Sequence, residues 1–248
     1  AQHVSRSMHA SVRAVGRTQM ERLDPLQWPK PHARITARSA LQRDRLGLVA
    51  QLREALAGDD ASRQFAAADM ALVLALGDDL AEELAACIER SQPDDRVAAT
   101  AVRALIRAGH VTGKIFEVAF DHPDARVQAN AIEELIRRPV HRLDGPLIER
   151  IEQGLQTRLH RMRAASIRGG MREPKLVARA RSALLDMLDD DLTMHRVSAA
   201  WRAWRIRATD IAPRLRDLAL RDDEPVVRSR CEWALRRLAS DLRNRGAA

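Results

Sequence analysis

The sequence predicts an all-α chain of about six helix pairs, and three observations carry that prediction. A short frame of residues recurs along the 248-residue chain at steps of 30 to 35. Each interval between recurrences holds one further apolar stripe at helical spacing. The composition, with no Tyr, three Phe and four Trp, leaves Ala and Leu to fill the interior, which suits close helix-on-helix packing.

The frame is clearest near the C-terminus. Asp222, Asp223 and Glu224 precede Pro225, an acidic first turn that caps free amides and opposes the helix dipole. Counting from Arg228, a small residue (Cys231) lies three on and a larger apolar one (Leu238) ten on, which returns both to one helix face. The same offsets hold at Arg63 (Ala66, Val73), Arg96 (Ala99, Ile106), Arg126 (Ala129, Ile136), Arg161 (Ala164, Met171) and Arg196 (Ala199, Ile206). The arginines are 33, 30, 35, 35 and 32 residues apart, and Asp59-Asp60, Pro93-Asp94-Asp95, Pro123-Asp124 and Asp189 to Asp191 mark the turns before most of them. A period of this length is the mark of a stacked array of supersecondary units.

Each interval supplies the partner helix. Leu80, Leu84, Cys87 and Ile88 form one stripe; Ile148, Ile151 and Leu155 a second; Leu176, Ala180, Ala183, Leu184 and Met187 a third; Ile211, Leu215 and Leu218 a fourth. The expected pairs are 43–57 with 61–77, 78–90 with 94–107, 111–121 with 124–138, 144–157 with 159–171, 174–189 with 192–207, and 209–220 with 224–240.

The run Asp222-Asp223-Glu224-Pro225-Val226-Val227-Arg228, with Asp94-Asp95-Arg96-Val97, resembles the second helix of the HEAT repeat, an armadillo-like unit that opens with Asp, then Val-Arg, then small residues. The ankyrin signature Thr-Pro-Leu-His is missing, and a chain without Tyr cannot meet the tetratricopeptide pattern. The resemblance covers roughly Arg43 to Ser240. It implies a right-handed α-α superhelix, a HEAT-like solenoid over 43–240, whose second helices line a concave surface. It implies nothing about activity.

Outside the array, residues 1–31 read as a basic, extended arm: Arg6, Arg13, Arg17 and Arg22 precede or surround the first acid, Glu21. A targeting segment, a docking arm and a loosely ordered tail share that pattern. Two prolines after Trp28, Pro29 and Pro31, hold the chain extended and offer the ring as a cover for the first repeat. Residues 32–42 read as a capping helix, and 241–248 as a frayed tail. Cys87 and Cys231 fall on buried faces of distant repeats, so reduced thiols and a cytoplasmic setting are expected. No apolar run approaches the roughly 18 residues of a membrane span, so no membrane insertion is expected.

The formal charge is +8, carried almost wholly by arginine. Between Arg137 and Arg181 twelve Lys/Arg face four acids, a net +8 that equals the charge of the whole chain. Within this window Arg158, Arg161, Arg168 and Arg172 are offset by three, ten and fourteen residues, which places them inside one narrow stripe of a helix. Guanidinium groups in a row suit bidentate recognition of carboxylate or phosphate. Trp201 and Trp233 share one frame position in adjacent pairs, with Trp204 one turn from Trp201, which makes them a possible aromatic patch.

The search for catalysis returns no set. None of the eight His is followed by Glu, so the His-Glu pairs of helical-repeat di-iron hydroxylases are missing, and no metal-binding or phosphate-loop motif occurs. His160 and His195 share a frame position on neighbouring layers, but two histidines make a poor metal site. No cofactor, metal or catalytic residue is expected. Phycobilin lyases share the architecture, yet their large conjugated ligand calls for more aromatics. Alkylpurine DNA glycosylases of helical-repeat type combine a basic concave face with a carboxylate and tryptophans, roles that Trp201, Trp204, Asp186 and the arginine stripe could fill, though no spacing demands it. The expectation is therefore a non-catalytic scaffold or adaptor holding a protein partner, an acidic segment or a subunit of a larger assembly. Nucleic-acid binding is the alternative.

Overall fold

The computed structural model describes residues 41–90, 96–110, 114–137 and 143–246. They form helices and connecting turns, with no strand among the described residues. In chain order the helices are α1 (Arg45–Ala57), α2 (Ala61–Leu74), α3 (Ala81–Glu89), α4 (Arg96–Ala108), α5 (Lys114–Asp121) and α6 (Ala125–Arg137). There follow α7 (Gly145–Gln156), α8 (His160–Gly170), α9 (Val177–Leu188), α10 (Thr193–Arg205), α11 (Ala212–Arg221), entered through a 3-10 turn at Thr209–Ile211, and α12 (Pro225–Gly246). Each odd helix packs on the even helix that follows it. The even helices also pack on one another in sequence, from α2 to α12.

The acidic turns start the helices as expected. The Asp60 carboxylate accepts from the amides of Ser62 and Arg63, Asp144 from Leu147, and Asp124 from Arg126. The frame arginine has a structural task in the last two repeats. Arg196 donates to the carbonyls of Asp190 and Asp191, and Arg228 to those of Asp222 and Asp223, so each guanidinium closes the turn that precedes its own helix. Arg196 also pairs with the Asp222 carboxylate at 2.8 Å, tying one repeat to the next. That hydrogen bond holds the Arg196 guanidinium above its ordinary range, against the cost of its burial.

Packing follows the offsets. Ala99, Ala129, Ala164, Ala199 and Cys231 are buried, while Ala66, in the first repeat, is half-buried. Both cysteines are buried, and neither is in a disulfide among the described residues. Glycines allow close packing around α8. A Cβ on Gly169 would stand 2.6 Å from Ile151 Cδ1, and one on Gly154 would strike the Ser166 hydroxyl. Gly169 and Gly170 are thus the last residues of α8 and its contact with α7 and α9.

Helix α8, His160–Gly170, matches its expected span to one residue at each end, while helix α12 continues through Gly246, into the segment expected to fray. The arm at 1–31 with Trp28, nearly all of the capping helix at 32–42, the turn at 93–95 and His141 lie outside the described residues. No described helix is long and apolar enough to cross a membrane.

Candidate functional site

Because α8 is short, the four arginines of the expected stripe do not share one helix. Arg158 precedes it, and its carbonyl accepts a hydrogen bond from His195 Nε2 at 2.8 Å. Arg172 follows it and donates to the carbonyl of Ile136 at the end of α6. Arg161 and Arg168 remain on α8. Arg168 is half-buried, and burial, with the charges of Arg205, Arg137 and Arg172, holds its guanidinium below its ordinary range, while Glu133 opposes the shift.

The group at the centre of this region is Arg202, which the sequence reading passed over. It is 1% exposed, the largest fully buried side chain described. From α10 it spans the width of α8 and donates from Nη2 to Glu133 Oε1 on α6 at 2.6 Å. Ala164 of α8 lines the same recess, and its small side chain leaves room beside the pair. Burial pulls its pKa down to about 10 even though Glu133 favours the charge. Its Nε and Nη1 have no hydrogen-bond partner, and neither do Arg168 Nη1 and Trp204 Nε1.

Arg202 and Glu133 border a recess of about 220 Å³ among α6, α8 and α10, whose other walls are Ala129, Asn130, Arg161, Ala164, Ser198 and Trp201. Arg161 is exposed at this recess. The Asn130 amide is committed to the Ala99 carbonyl, and the Ser198 hydroxyl lies 2.9 Å from His160 Nδ1.

Beside the recess the expected aromatic patch is present, in a different arrangement. Trp204 meets Trp233 edge-on at 4.8 Å and Trp201 at 6.5 Å, so it is the central ring of the three. Arginines interleave with them. Arg202 lies over Trp201 at 4.8 Å, Arg205 over both Trp201 and Trp204, and Arg230 and Arg237 over Trp233. Each such contact adds cation–π attraction to a half-buried ring.

On the other side, buried Glu134 gathers Arg103 and Arg107 from α4 and Arg137 from its own helix, at 2.8 to 3.0 Å. Burial alone would raise its pKa; the hydrogen bonds from Arg107 and Arg103 and the charge of Arg137 outweigh it and hold the carboxyl below its ordinary range. A sequence signal for this network exists. Arg107, Arg137, Arg172 and Arg207 all stand eleven residues after their frame arginines, a ladder in four successive repeats.

Other candidates separate from the site. Asp186 pairs with Arg163 at 3.4 Å, its side chain 60% exposed, and is not a wall of the recess. The rings of His160 and His195 are 6.3 Å apart, as the frame implies, and His195 Nδ1 lies 2.8 Å from the Asp190 carboxylate. Burial, followed by the charges of His195 and Arg161, lowers the pKa of His160. No cluster of three or more metal-ligating side chains occurs among the described residues.

No family model matches the chain, and no curated protein matches it. Among solved structures, the crystal structure of an engineered protein is similar over 87% of this chain and 96% of its own, at 18% identity and a TM-score of 0.33. A likeness so loose carries neither fold nor function across.

Proposed function

We propose that the six helix pairs stack as a right-handed HEAT-like solenoid, and that the chain is a non-catalytic cytoplasmic scaffold holding an acidic segment of a protein partner on its even-helix face. The sequential packing of even helices supports the stacking. The observation that carries the binding role is the charge of one face: Arg103, Arg107, Arg137, Arg161, Arg168, Arg202 and Arg205, with Glu133 and Glu134 among them. Buried guanidinium donors without partners are costly in a fold and useful to a ligand rich in acceptors. The two buried thiols, neither of them in a disulfide, favour a reducing compartment.

A second reading, nucleic-acid binding, is favoured by the interleaving of Trp201, Trp204 and Trp233 with arginine, since such platforms stack bases. Fluorescence anisotropy with a labelled octaglutamate peptide and with labelled single-stranded and duplex oligonucleotides separates the two. The scaffold reading expects saturable peptide binding at about 0.15 M salt that equal concentrations of oligonucleotide do not displace. Tighter oligonucleotide binding, falling by about a thousandfold between roughly 50 and 200 mM salt, would reverse the order.

A further inference from the structure

We propose that the recess among α6, α8 and α10 is a receptor for a single carboxylate, one Asp or Glu side chain of the bound segment, seated between Arg202 at its inner end and Arg161 at its mouth. This rests on the acidic-segment reading and gives it a specific anchor. Four features of the recess converge on that ligand.

The first is the sign of what is unsatisfied. The orphaned atoms of Arg202, like those of Arg168 and Trp204 nearby, are N–H donors, so a ligand that completes them must bring acceptors. The second is burial: a guanidinium 1% exposed forms charge-assisted hydrogen bonds with little competition from water. Size is the third. The volume of about 220 Å³ admits one acidic side chain with a few waters, at roughly 30 Å³ per water, and is too small for a folded element. The fourth is Glu133, which occupies Nη2 alone and leaves Nε and Nη1 unmet; an internal carboxylate already bound at this spot displays the chemistry an external one would repeat.

Glu133 also makes the proposal sharp, because it both pairs with Arg202 and repels an incoming carboxylate. Its removal by Glu133→Gln should tighten anion binding, the reverse of what damage to a structural pair would do. The probe is glutarate, a dicarboxylate that presents the end of a glutamate side chain, added to the full chain and read by tryptophan emission, since Trp201 walls the recess. We expect a saturable change that weakens about tenfold in Arg161→Ala, whose side chain is exposed, and tightens about tenfold in Glu133→Gln. Thermal melts of the same samples should show glutarate raising the Tm of Glu133→Gln more than that of the wild type. No saturable response in the wild type, or equal responses in all three proteins, overturns the receptor. That failure leaves the wider face to the octaglutamate measurement, which does not depend on glutarate.

Discussion

Arg202 is held in the fold at a cost, and removing the pair it forms should reveal that cost. Burial brings its pKa down to about 10 after the attraction of Glu133 has been counted. At about 1.4 kcal/mol per tenfold change in proton affinity, the folded state disfavours the guanidinium charge by about 3 kcal/mol. For a base with a lowered folded pKa, the unfolded chain binds more protons only at pH above about 10, so the whole cost is present at neutral pH and is relieved only above that value. Replacing both partners, as Arg202→Met with Glu133→Gln, removes the buried charge and its counter-charge together. Buried pairs exchanged in this way are often neutral or gain about 1 to 4 kcal/mol. Glu133→Gln alone leaves the cation buried without a carboxylate and should lose about 3 kcal/mol. Arg202→Met alone should lose less, about 1 to 2 kcal/mol, because the Glu133 side chain keeps 21% of its surface and can be hydrated. Urea unfolding followed by circular dichroism at pH 7 measures all three. A double variant as unstable as Glu133→Gln would refute the claim that the arginine is there at the expense of stability.

The other expectations concern packing and pH. Glu134→Gln should cost about 2 kcal/mol, below the range for a fully buried pair, because its three arginines keep a third or more of their side-chain surface. Since the folded Glu134 carboxyl lies below its ordinary range, its contribution is complete above that range and is lost as pH falls through the lowered value; urea titrations between pH 7 and 3 should show a shallower acid slope in the variant. Gly169→Ala should cost about 1 to 3 kcal/mol in thermal or urea unfolding, because the added methyl meets Ile151 and Ile136. Cys231, buried and with its thiol pushed up to about 12, should resist Ellman's reagent at pH 8 until denaturant is added.

Most of the helical organisation was legible because it is repeated. The offsets from Arg63 to Arg228 placed six helix pairs to within a few residues, and the small residues three on from each arginine went to the interior, most fully in the later repeats. The candidate site was legible in its charge and its tryptophans, but not in its centre. Arg161 and Arg168 lie on α8 as counting along one helix implies, whereas Arg158 and Arg172 fall just beyond its two ends, outside even the expected span 159–171. Arg202 and Glu133 are 69 residues apart. Their pairing depends on two helices flanking a third whose facing residue is Ala164, which no periodicity within one helix reports. The ladder of Arg107, Arg137, Arg172 and Arg207 was in the frame to be read, but its meaning depends on Glu134, an acid in one repeat alone. It is likewise Trp204, outside the shared frame position, that joins Trp201 to Trp233.

The placement of the binding face can be tested with two variants of matched net charge. One triple variant carries Arg103→Glu, Arg161→Glu and Arg205→Glu, on the even helices; the other carries Arg53→Glu, Arg179→Glu and Arg216→Glu, on the odd ones. Both lower the charge of the chain by the same amount, so long-range attraction changes alike and any difference reports position. Titrated with the labelled octaglutamate peptide, the even-helix triple should bind at least about tenfold more weakly than the odd-helix triple. Equal losses in the two variants, or a larger loss in the odd-helix triple, would contradict the account.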